Sequence, residues 1–77
     1  MLYFFDFRDG DTFIEDEIGV ECVDLAAAKF EAAAGLAGYA RDVIPGSERR
    51  EMAIEVRTDK GPVLNTRMVF EIKQMEA

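Results

Sequence analysis

The chain has 77 residues and a formal net charge of −7, and this length suits one small domain, which we place at residues 1–77. It contains no histidine, which excludes Ser–His and Cys–His catalytic pairs and histidine-ligated metal sites, and its single cysteine excludes an intrachain disulfide. The negative charge argues against nucleic acid as a partner, and no apolar run approaches the ~20 residues of a transmembrane helix, so we expect no membrane association. Because the N-terminus carries no basic secretory region and a lone cysteine suits a reducing compartment, we expect a cytoplasmic protein.

The first predicted element is a strand over residues 2–8. Its side chains alternate between two faces, and one face carries the aromatic residues Tyr3, Phe5 and Phe7. Asp9-Gly10 follows as a turn signal, because glycine adopts positive φ without strain. Three aromatic rings on one face supply a large apolar area, and we expect Phe5, at the centre of that face, to be buried under the helix.

A second strand is predicted over residues 18–22, where every second residue is apolar. Residues 12–14 before it are extended, and the acidic residues 15–17 between them are predicted to form a bulge or loop tip. Cys22 falls on the apolar side of the strand and is interpreted as a small core residue. Its neighbours in sequence are acids, whereas a reactive thiol requires a nearby cation.

A helix is predicted over residues 25–43, with Asp24 as its N-cap. Steps of three and four residues place one apolar stripe along it, formed by Leu25, Ala28, Ala32, Leu36, Tyr39, Ala40 and Val43. Gly35 and Gly38 each cost about 1 kcal/mol relative to alanine inside a helix. They therefore indicate close approach, either to the protein's own sheet or to the helix of a second copy. Pro45-Gly46 ends the helix.

Two further strands are predicted over residues 51–57 and 63–73, joined by a hairpin loop at residues 58–61. The order ββαββ predicts a two-layer α+β fold, in which a four-stranded antiparallel sheet carries one helix on one face. A right-handed crossover favours the sheet order 2-1-3-4, and the order 1-2-4-3 is the alternative.

One helix covers only one face of the sheet, so the opposite face meets water or a partner. Charged residues of both signs alternate there and favour cross-strand ion pairs on a solvated face. Its apolar members could instead form a contact patch; they are Leu2, Phe4, Val63 and Val69. We expect a homodimer in which this sheet face, or the helix surface around Gly35 and Gly38, meets its own copy.

The acidic segment is the one candidate site, and its residues are Asp9, Asp11, Glu15, Asp16, Glu17 and Glu21. Hard cations such as Ca²⁺ require clustered oxygen ligands, but Phe13 and Ile14 stand where an EF-hand loop needs a ligand and a glycine. We therefore expect no tight metal site and keep Asp9, Asp11, Glu15, Asp16 and Glu17 only as weak ligand candidates. Two other interpretations of the acidic segment stay open. It could be a solvated edge that prevents strand pairing, or a docking surface for a basic protein partner.

Tyr3-Phe4-Phe5-Asp6-Phe7-Arg8-Asp9-Gly10-Asp11 resembles the opening of a small bacterial domain family of unknown function, found mainly in alphaproteobacteria. The family's acidic stretch and its D-L-x-x-A helix start are matched by residues 15–19 and 24–28, and its D-x-G turn by residues 59–61. The resemblance covers nearly the whole chain and implies no activity. A weaker, architectural likeness links the chain to antitoxins of the HicB kind, whose DNA-binding segment has no counterpart here.

The sequence therefore favours a non-enzymatic protein-interaction module that forms homo-oligomers. The alternative is a small metal- or ligand-binding regulator, or an antitoxin-like partner-binding protein. We predict no catalytic residues and no cofactor, because no serine has a plausible base, no phosphate-binding glycine loop is present and nothing marks a pocket that would tune the carboxylates.

Overall fold

The computed structural model describes residues 1–76 and shows an α+β fold, in which an antiparallel sheet carries one helix on one face. The described elements are β1 (Leu2–Asp9), β2 (Thr12–Ile14), β3 (Val20–Glu21), α1 (Leu25–Val43), a 3₁₀ turn (Ile44–Gly46), β4 (Arg49–Thr58) and β5 (Gly61–Glu71). Within residues 1–76, no helix combines the length and the apolar character that crossing a membrane requires.

The strand order is β2-β1-β4-β5, and β3 pairs with β1 along the same edge as β2. β2 pairs with residues 7–9 of β1, whereas β3 pairs with residues 2–3. The first strand is therefore interior, as predicted, and the order 1-2-4-3 is excluded. The predicted count of four strands and the order ββαββ are not exact, because the extended residues 12–14 form a strand of their own, β2, and only residues 20–21 of the predicted second strand form β3.

Helix α1 begins and ends at the predicted residues. The Asp24 carboxylate accepts a hydrogen bond from the Ala27 backbone N–H at 2.8 Å, which caps the first turn as expected. The buried residues of the helix are Ala28, Ala32, Leu36 and Ala40, all from the predicted stripe. Leu25, at the start of that stripe, remains 47% exposed. The helix therefore meets the sheet mainly through small side chains.

The core lies between α1 and the strands β4 and β5, over which the helix packs. Met52 and Val56 of β4 are fully buried, and Tyr3 of β1 is 5% exposed. Phe5 and Phe7 point to the same side but are only partly buried: the helix packs mainly over β4 and β5 and reaches β1 where Tyr39 meets the Phe7 ring edge-to-face, with 4.4 Å between the ring centres. The aromatic face of β1 is thus left open on one side.

Gly35 and Gly38 have different surroundings. A Cβ added at Gly35 would lie 3.3 Å from Ile54 Cδ1, so this glycine allows close packing of the helix on its own sheet. A Cβ added at Gly38 would meet no atom within 4 Å. Close approach within the chain therefore explains the first glycine and leaves the second on an open surface.

Candidate functional site

The acidic segment does not gather into a ligand cluster. Asp9 turns towards the end of the helix, and Asp16 turns to the edge of β1. Asp11, Glu15 and Glu17 remain exposed. Within residues 1–76, no three acidic or cysteine side chains lie close enough together to hold a metal ion.

Asp16 fills the gap between β2 and β3. Its Oδ2 accepts a hydrogen bond from the backbone N–H of Phe5 at 3.0 Å, in the part of β1 that neither short strand pairs. Its Oδ1 accepts from the backbone N–H groups of Ile18 and Gly19, each at 3.0 Å. One carboxylate thus replaces the missing strand partner at this edge, because a backbone donor without a partner is costly.

These bonds change the acidity of Asp16. Burial by itself would raise its pKa, but the N–H donors of Gly19, Phe5 and Ile18 and the nearby Arg57 guanidinium stabilise the charged form more strongly. The pKa of the Asp16 carboxyl is therefore held below its usual range. The group is a structural anion at neutral pH.

Asp6 and Arg57 anchor the same loop to the face of the sheet opposite the helix. Asp6 is 6% exposed, and its Oδ2 accepts a hydrogen bond from Arg57 Nε at 2.9 Å. Asp6 Oδ1 also accepts from the backbone N–H of Asp16 at 3.0 Å, and Arg57 donates to the Asp16 carbonyl at 2.9 Å. The Arg57 guanidinium lies 4.5 Å from the centre of the Phe4 ring. The acidic loop is therefore fixed by an ion pair between a buried carboxylate and a partly exposed guanidinium.

The apolar residues expected on this open face lie in separate places. Leu2 and Phe4 are on β1 beside Gly19, where an added Cβ would meet both side chains at 3.0–3.1 Å. Val63 and Val69 are on β5, beyond the charged residues of β4. Six residue steps of extended strand, about 20 Å, separate the two valines. The four residues do not form one continuous apolar patch.

A second polar cluster, which the sequence analysis did not find, joins β1, α1 and β4. Tyr39 donates a hydrogen bond to Asp9 Oδ2 at 2.5 Å, and Arg50 donates to the same oxygen. Arg50 Nε also donates to Ser47 Oγ at 2.7 Å, and Ser47 donates to the Val43 carbonyl at 2.6 Å. The hydrogen bond to Asp9, followed by burial, raises the pKa of Tyr39. These hydrogen bonds tie the three elements together.

Sequence gave little signal for this cluster. Asp9 and Tyr39 are 30 residues apart, and Asp9 and Arg50 are 41 residues apart. The turn signal at Asp9-Gly10 explains the local backbone but does not predict either partner.

A groove of about 400 Å³ lies beside the open aromatic face of β1. We call it the acidic groove; it is lined by Phe5, Phe7, Ile14, Glu15, Asp16, Glu17 and Ile18. Ile14 is 58% exposed and Ile18 is 85% exposed, so much of its apolar lining is in contact with solvent. Within residues 1–76, neither Glu15 nor Glu17 forms a salt bridge.

The family comparison accounts for nearly the whole chain. A family model described as a domain of unknown function, DUF6894, matches residues 2–69. The chain belongs to this family. No curated protein and no solved structure matches the chain.

The DUF6894 match extends from the start of β1 into the last third of β5. It therefore contains every residue of the acidic groove and of the cluster around Asp9. The expected membership of a domain family of unknown function is confirmed, and the family assigns no activity to either place.

Proposed function

We propose that the protein is a non-enzymatic interaction module, which binds a basic, apolar-bearing segment of a partner protein in the acidic groove and also forms homo-oligomers. The observation that carries the docking proposal is the acidic groove itself. The half-buried rings of Phe5 and Phe7 line it, and the carboxylates of Glu15 and Glu17 add negative charge beside them.

Both parts of the groove contribute to recognition of such a segment. Exposed apolar side chains such as Ile18 offer area whose burial favours binding, at about 25 cal/mol per Å². Glu15 and Glu17 attract and orient a basic partner, which affects its association rate and specificity. The excess of acids in residues 1–31 extends the same negative field.

The bonding of the other acids supports binding rather than catalysis. Asp6, Asp9 and Asp16 are each held by hydrogen bonds within the fold. A catalytic carboxylate must reach a substrate, whereas these oxygens already have partners inside the protein.

The shape of the chain supports self-association. Its accessible surface is 5669 Å², whereas a monomeric protein of this mass exposes about 4,700 Å². Its radius of gyration is 14.3 Å, compared with about 11.5 Å for a compact domain of this length. Sedimentation equilibrium at tens of micromolar in 0.15 M salt tests this part, and a single species of 8.6 kDa would contradict it.

Capture from a lysate of the native cell tests the docking part. The immobilised protein is compared with the variant Glu15→Lys/Glu17→Lys and with Ile18→Ser, and retained proteins are quantified by mass spectrometry. We expect a basic protein that the original chain retains and that both variants lose by about tenfold or more.

The matched control is Glu48→Lys/Glu76→Lys, which changes the net charge equally at exposed positions outside the acidic groove. It should retain the same protein. Equal loss in the control would show that net charge alone attracts the partner, and the docking proposal would then fail.

A further inference from the structure

The outer edge of β5 has backbone groups without a neighbouring strand. β5 is the last strand of the sheet, is 11 residues long and pairs only with β4. The Ile72 N–H donates to the Glu48 carbonyl at 2.8 Å, so the backbone polar groups of Ile72 face β4. Because these groups alternate along a strand, those of Arg67, Val69 and Glu71 face outwards.

We infer that this edge pairs antiparallel with β5 of a second copy, in the register that places Val69 opposite Val69 of the second copy. The inference rests on the proposed homo-oligomerisation and names its surface. The result is one continuous sheet across a two-fold axis, with a self-complementary contact.

Backbone geometry and charge together select this register. Antiparallel residues exchange hydrogen bonds when the polar groups of both face the partner strand, which Val69, Arg67 and Glu71 satisfy. In the pairing centred on Val69, Arg67 of each copy lies opposite Glu71 of the other copy, which gives two such contacts. A shift to a centre at Arg67 would oppose two guanidinium groups, and a centre at Met68 would oppose each charge to an uncharged residue.

The pairing also extends ion pairs that each chain already contains. Arg49 lies 3.0 Å from Glu71, and Arg67 lies 3.6 Å from Glu51. The contact between Arg67 and Glu71 of the second copy joins these two pairs into a row of alternating charges. A charge in the middle of an edge strand discourages pairing with unrelated strands, so Arg67 also makes the edge selective for its own copy.

The helix side of β5 carries apolar residues at the border of the core. Met68 and Phe70 are partly buried, and Ile72 is 58% exposed. The proposed register places Met68 opposite Phe70 of the second copy, so the partner strand covers this border. The surface that the chain exposes beyond a compact monomer is about 1,000 Å², comparable to the ~800 Å² that each partner buries in a standard interface.

Charge reversal with mixing provides the first test. Arg67→Glu and Glu71→Arg each place like charges opposite one another in a homodimer, and each should weaken dimerisation by about tenfold in sedimentation equilibrium. An equimolar mixture restores opposite charges at both contacts, so it should form a heterodimer with nearly the original affinity. Each variant keeps the same contacts with its own Arg49 or Glu51 in the homodimer and in the mixture. Those contacts therefore cannot explain a difference in affinity between the two samples.

Disulfide trapping provides the second test. Val69→Cys places two thiols opposite each other at a Cα separation of about 5.5 Å, within the range that a disulfide spans. The matched control is Asn65→Cys, on the same face and edge of β5, where the two copies of the residue would lie about 27 Å apart. We expect a covalent dimer of Val69→Cys under mild oxidation and none of the control or of the original chain, whose Cys22 is buried.

The outcomes separate the two proposals. A dimer that ignores the charge reversals, or that links Asn65→Cys as readily as Val69→Cys, overturns the β5 pairing and leaves homo-oligomerisation standing. Phe4→Glu and Gly38→Leu then test the sheet face and the helix. A chain that stays monomeric at tens of micromolar overturns both the β5 pairing and homo-oligomerisation, and the docking proposal for the acidic groove is unaffected.

Discussion

The Asp16 carboxylate shows how one residue determines the shape of a sheet edge. It accepts three backbone hydrogen bonds, and its own N–H donates to the buried Asp6. A carboxylate in this position satisfies donors that a continuous edge strand would have paired. The loop that carries Glu15 and Glu17 is thereby held in place, which orients the rim of the acidic groove.

Asp16→Asn should lower the free energy of unfolding at pH 7 by about 1–3 kcal/mol, because the amide nitrogen cannot accept one of these hydrogen bonds. The pKa of Asp16 is depressed in the folded state, so its stabilisation is complete above the unfolded pKa near ~3.9. It is lost as the pH falls through the folded pKa.

The difference between the original chain and Asp16→Asn should therefore be larger at pH 7 than at pH 3, as measured by urea unfolding at one protein concentration. Glu17→Gln, an amide substitution at an exposed position of the same loop, should change stability by less than about 0.5 kcal/mol. An equal effect of Asp16→Asn at both pH values would rule out the charge as the stabilising feature.

Helix α1 is the element with the strongest local determinants. It has an N-cap, a stripe of small apolar residues and a proline shortly after its end. Its two interior glycines both lower the helix propensity, but they differ in packing. Gly35 is the one at which an added Cβ would come close to the sheet. Gly38 carries the cost of glycine in a helix without a packing contact within the chain.

Gly38→Ala should therefore stabilise the fold by up to about 1 kcal/mol, since alanine restricts the unfolded chain and favours the helix. Gly35→Ala should stabilise less or destabilise, because its Cβ would approach Ile54 Cδ1 to 3.3 Å. Urea midpoints followed by circular dichroism compare the two variants directly. A larger gain at Gly35 than at Gly38 would contradict the assigned helix face.

At the scale of the whole molecule, one thin core must stabilise an elongated chain. The Cα extents are 53 × 22 × 18 Å, and the helix lies over β4 and β5. Met52 and Val56 are the largest side chains that are fully buried. The aromatic residues Phe5 and Phe7 contribute less burial than their size suggests, because both are only partly buried and line the acidic groove.

Met52→Ala should cost about 2–5 kcal/mol, a large share of the stability of a small domain. Phe5→Ala should cost less, about 1–2 kcal/mol, because that ring is only partly buried. The sequence alone predicts that Phe5 is buried under the helix, and so a larger loss there, about 3–5 kcal/mol. Chemical denaturation of both variants distinguishes the two expectations, and the greater loss in Phe5→Ala would favour a helix that covers β1.

Local interactions explain what the sequence by itself determined. Alternation predicts β1, β4 and β5, and the bounds of α1 follow from Asp24 and from the proline after the helix. The interior position of β1 follows from the handedness of the crossover. Each of these signals acts over a few residues, or through a topological rule that needs no side-chain detail.

Only the tertiary structure decided which polar groups meet. Asp6 and Arg57 are 51 residues apart, and the pairing buries an acid that alternation places on a solvated face. The acids of one continuous segment separate, because Asp9 and Asp16 each find partners on different elements. The acidic groove exists because the helix packs mainly over β4 and β5 and leaves Phe5 and Phe7 of β1 only partly covered. Such a placement depends on how whole elements pack, and no pattern within either element specifies it.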